Sequence, residues 1–107
     1  MANDELPPRG AGRLAAAYPE LWQRYQELGE ACTCAGPVSG ENARLVKLAL
    51  SLGGGSEGAV HSHVRRARAE GISDDALRHV ALMAIPTLGF PAAMAGLTWI
   101  NDILDSE

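Results

Sequence analysis

Three short stretches of this 107-residue chain carry side chains that could do chemistry. The first is Ser56-Glu-Gly-Ala59-Val-His-Ser-His63, which sets His63 on the apolar side of a helix. An imidazole there either packs with its nitrogens satisfied or passes protons near neutral pH. The second is Arg44, on the preceding helix, a permanent cation suited to holding an anionic group. The third is Cys32-Thr33-Cys34, two thiols that could serve as nucleophile or redox pair. A disulfide between residues two apart strains the backbone, so it would be labile if formed. Read as structure instead, Cys32 is a small core hydrophobe.

Other groups read more plainly. His61 lies roughly 200° around the helix from His63. It falls four residues after Glu57, the spacing of an exposed ion pair. Arg65-Arg66-Ala67-Arg68 reads as a solvated face. Cys32, Cys34 and His63 are three metal ligands where a closed zinc site wants four, so no metal is expected. Glycines 53 to 55 have no strand before them and no phosphate-loop lysine after them. No cofactor is expected either.

The elements that must position these groups are helical. Residues 1 to 17, with Pro7-Pro8, read as a flexible arm, leaving 18–107 as one domain. Tyr18-Pro19-Glu20 starts a helix with proline in its first turn. Leu21, Tyr25, Leu28 and Cys32 form its apolar stripe, and Gly36-Pro37 closes it. A second helix runs from a cap at Ser39 to the triple glycine, with Leu45, Leu48, Ala49 and Leu52 on one face. Ser56 caps a third, over residues 57 to 70, which Gly71 ends. Val60, His63, Val64 and Ala67 share its inner stripe. Ser73-Asp74-Asp75 starts a fourth, which Pro86 ends or kinks. Pro91 opens a fifth, running to about Asp105. The reading is therefore all-α with five helices, the second and third paired antiparallel.

Composition narrows the function. A net charge of −4 argues against a nucleic-acid partner. No apolar run reaches the ~18 residues of a membrane span, and the N-terminus lacks a basic-then-apolar leader, so a cytoplasmic protein is expected. The fourth and fifth helices are apolar nearly all round, more than so short a chain can cover. That excess predicts a homo-oligomer.

The run from Gly55 to Ala67, then Glu70-Gly71-Ile-Ser-Asp-Asp75, then Ile85-Pro-Thr-Leu-Gly-Phe-Pro91, resembles the carboxymuconolactone decarboxylase family. That family includes the alkylhydroperoxidase D-like proteins, and the resemblance covers about residues 37 to 105. It implies an all-helical protomer that assembles as trimers, hexamers or larger rings. In the peroxidase branch a Cys-x-x-Cys precedes a histidine by four residues, with a glutamate on the preceding helix completing a proton relay. Set in register by His63 and Gly71, the two cysteine positions fall on Ser56 and Ala59, and the relay glutamate falls on Arg44. The histidine is kept; both sulfurs and the acid are not.

Three expectations follow from the resemblance. One is a thiol-dependent, peroxiredoxin-like oxidoreductase in which Cys32 or Cys34 replaces the missing pair and His63 serves as acid/base. A second is a decarboxylase-like enzyme on a small anionic substrate, with His63 moving protons and Arg44 holding the anion. The third is a noncatalytic oligomeric module that has lost the relay.

Overall fold

A computed structural model describes residues 10–106, and every regular element among them is an α-helix. The order is α1 (Gly10–Ala17), α2 (Pro19–Cys34), α3 (Gly40–Gly53), α4 (Glu57–Ala69), α5 (Asp74–Leu88) and α6 (Phe90–Leu104). The sixth helix beyond the five expected is α1, within the segment read as a flexible arm. Its Leu14-Ala-Ala-Ala17 run favours helix, and the Tyr18 amide continues the ladder by donating to the Leu14 carbonyl. Residues 1 to 9 of that arm lie outside the described residues.

Contacts divide the chain into two compact units, one ending at Ser39 and one spanning Gly40–Glu107. In the first, α1 packs on α2. Trp22 is the buried residue of α2, its ring tilted against Tyr25 with centroids 5.6 Å apart. The stripe expected to face inward here points out instead: Leu21, Tyr25 and Leu28 are all exposed. Cys32 and Cys34 are exposed free thiols as well, which corrects the reading of Cys32 as a core residue. The spacing of the stripe is helical, but spacing alone does not say which side of an amphipathic helix its partner covers.

The second unit is a four-helix assembly around Leu48, Leu52, Val60, Val64, Leu77, Ile100 and Ile103. Its turns follow the chemistry of their residues. Ser56 and Ser73 cap α4 and α5, their hydroxyls accepting from the Ala59 and Ala76 amides. Gly71 sits at φ +86°, and the Ile72 and Gly71 amides donate to the Ala67 and Arg68 carbonyls. This is the paired bonding that closes a helix through a left-handed residue. Gly96 on α6 faces the Leu52 side chain of α3 so closely that a Cβ there would run into it. The helix expected to stop or kink at Pro86 runs on to Leu88. Proline in a last turn forfeits only one backbone bond, and the Thr87 hydroxyl donates to the Met83 carbonyl in the same turn. Among the described residues no helix is long and apolar enough to cross a membrane.

Candidate functional site

His63 lies midway along α4, and Glu70, the residue capping that helix's C-terminus, follows seven residues later. Seven residues is close to two full turns, so the two side chains share a face. Arg44, near the start of α3, reaches the far end of α4, as an antiparallel pair requires. Its guanidinium bridges both partners. Nε donates to Glu70 Oε1 at 3.0 Å and Nη2 to Oε2 at 2.7 Å, a two-pronged carboxylate clasp. Nη1 stands 2.8 Å from His63 Nδ1.

Arginine only donates, so His63 Nδ1 accepts and the ring's proton resides on Nε2. The surroundings keep the ring uncharged. Burial, then the positive charges of Arg44, Arg66 and Lys47, lower the His63 pKa from 6.5 to about 4, against a smaller opposing pull from Glu70. The Glu70 carboxyl is held below its ordinary range, chiefly by the hydrogen bonds from Arg44. Three cations and one carboxylate thus surround a neutral imidazole. Such a centre favours an incoming negative charge and disfavours a positive one.

Arg44 and His63 are therefore brought together, as the acid/base expectation required. Arg44 does not stand open as an anion holder, because Glu70 takes two of its prongs and His63 a third. Ser56, where the peroxidase pattern has its first cysteine, spends its hydroxyl on capping α4. Cys32 and Cys34 belong to the first unit, on the last turn of α2. Sequence reasoning missed Glu70, Lys47 and Arg66. Glu70 carried a signal in its two-turn spacing from His63. Lys47 and Arg66 lie three residues after Arg44 and His63 on their respective helices, one turn along the same faces. Arg66 is only partly solvated: the residue is half-buried, and its Nε is buried with no hydrogen-bond partner among the described residues.

A family model, the carboxymuconolactone decarboxylase family, matches residues 19–102. The chain belongs to that family. The match spans α2 through most of α6, so the part of the chain that the carboxymuconolactone decarboxylase family model covers leaves out α1. Neither a curated protein nor a solved structure matches the chain significantly.

Proposed function

We propose that this member of the carboxymuconolactone decarboxylase family is an enzyme acting on a small carboxylate-bearing substrate, with His63 serving as a neutral hydrogen-bond donor. The single observation that carries the reading is the 2.8 Å contact between Arg44 Nη1 and His63 Nδ1. By holding the ring's one lone pair, Arg44 fixes a neutral imidazole that presents Nε2–H as a donor. The adjacent positive charge also makes that N–H a stronger donor. A fixed donor aimed at oxygen favours reactions in which charge builds on oxygen as a bond to carbon breaks. Decarboxylation beside a carbonyl is one: the carboxylate leaves as CO2, its bonding electrons pass into an enolate whose oxygen accepts the Nε2–H hydrogen bond, and a proton from water returns to carbon. Arg66 and Lys47 supply the positive field that draws the anion in, while Arg44 positions His63.

The test does not depend on which acid is the natural substrate. Small lactone and keto acids in deuterated water are followed by NMR for CO2 loss or for exchange of the C–H beside the carbonyl. The protein should accelerate one or both, and His63→Ala should abolish the effect while leaving the helical spectrum intact. If no acid is turned over and none shifts the His63 ring signals, the noncatalytic module is the better reading.

Exposure of both thiols supports a second reading, a thiol peroxidase using Cys32 or Cys34. Two residues apart on a helix, their sulfurs point to opposite sides. An intrachain disulfide would thus require the last turn of α2 to unwind. Thiol titration before and after dilute peroxide decides it: two thiols lost per chain and restored by a dithiol favour the redox cycle, and inert thiols remove it.

Self-association belongs to the same proposal. An apolar groove of about 600 Å³ opens between α3 and α5, lined by Leu45, Val46, Leu50, Val80, Met83 and Leu88. Val46, Leu50 and Met83 stand largely exposed in it, more apolar surface than a lone domain usually shows.

A further inference from the structure

On the other side of α4 from His63, two helices bring a second set of donors together. His61 Nε2 lies 3.0 Å from Asp102 Oδ2 and 4.0 Å from Glu57 Oε2. All three ligand atoms fall within 4.8 Å of one another. The register explains the convergence. Glu57 and His61 are one turn apart on α4, and Asp102 comes from the last turn of α6. Val60, Val64, Ile100 and Ile103 are buried where these two helices pack, so the donors sit on a fixed frame.

A protonated His61 meets both carboxylates through the single Nε2, at 3.0 Å and 4.0 Å, and brings one positive charge to two negative ones. A divalent cation engages all three. We propose that Glu57, His61 and Asp102 form a binding site for a borderline divalent transition cation, with zinc as its probe. One imidazole nitrogen and two carboxylate oxygens are the mixed donor set that zinc accepts, whereas magnesium and calcium take oxygen alone. Bonds of about 2.0–2.1 Å set the ligand atoms of a tetrahedral zinc roughly 3.3 Å apart. The His61 side chain is 20% exposed and is the fixed point; those of Glu57 and Asp102, at 58% and 44%, are free to close the remaining distance. A fourth position stays open to water. Bound metal would tie the first turn of α4 to the last turn of α6 and stabilise the folded state by linkage. The site is independent of the chemistry assigned to His63.

The experiment uses the full chain, stripped with a chelator and desalted, in a Cys32→Ser, Cys34→Ser background so that no thiol competes for the metal. Zinc is titrated while the melting temperature is followed, with magnesium as the control. Zinc should raise the melting temperature in a concentration-dependent way and magnesium should not. Ring nitrogen signals of His61 should shift while those of His63 and His79 stay in place. Glu57→Gln and Asp102→Asn should each weaken the apparent affinity by about tenfold or more, and His61→Ala should abolish it. A zinc response that survives undiminished in His61→Ala overturns the site. So does a His61 ring unmoved at saturating zinc in the parent protein, a readout that holds even if the alanine variant folds poorly.

Discussion

A histidine whose only lone pair is occupied by an arginine behaves differently from a free one, and the difference is measurable in stability. The unfolded chain takes up a proton at His63 near pH 6.5, whereas the folded chain resists until about pH 4. Between those values the unfolded state binds more protons, so stability falls as the pH is lowered through that window. The loss should be about 2 kcal/mol, short of the full linkage value because the ring is only half-buried. The Glu70 carboxyl, also held low, adds a loss in the same direction further into acid. Urea denaturation at a series of pH values should show the slope in the parent and a flatter one in His63→Gln. An unchanged slope would mean that the ring is not held neutral. Arg44→Met should move the His63 ring titration upward toward its ordinary value, as followed by NMR.

At the scale of the helix, most of the frame was legible from punctuation. Ser56, Gly71, Ser73 and Pro91 sit at helix ends because a hydroxyl, a left-handed backbone or a missing N–H is useful only there. The facing of α2 was not legible, because Leu21, Tyr25 and Leu28 have the right period whichever side is covered. Nor was the Arg44–Glu70 clasp, which joins residues 26 apart in the chain and depends on how two helices pair. The site's second half therefore surfaced only in three dimensions. The close approach of α3 and α6 makes a sharper prediction. Gly96→Ala would push a methyl group into Leu52, which is 3% exposed and has little room to yield. The expected cost is about 1–3 kcal/mol, read as a lower urea midpoint with an unchanged slope.

For the whole molecule the informative surface is the groove between α3 and α5. Leu50 is 70% exposed there, so removing it from the folded chain costs little packing. Leu50→Lys should leave the stability of the chain within about 0.5 kcal/mol of the parent. If copies associate through this face, the same change should lower the mass measured by light scattering after gel filtration. An unchanged mass would place any association elsewhere. This part of the reading was available in outline from composition, since α5 and α6 hold more apolar side chains than so short a chain can bury. Which of them stay outside was not, because that depends on which flanks α3 and α5 leave uncovered.

The hydroxyl that caps α4 and the guanidinium that grips His63 also bear on how this chain could be converted. In the register that the resemblance implies, Ser56 and Ala59 fall where the peroxidase pattern has its two cysteines, and changing both to cysteine would restore that dithiol in sequence. It would not restore reactivity, because a thiol must hand its proton to a base, and the ring's basic nitrogen is already engaged by Arg44. Ser56→Cys with Ala59→Cys should therefore react sluggishly with peroxide, and adding Arg44→Glu should quicken it. Sulfur and arginine are, in this scaffold, rival claimants to a single electron pair.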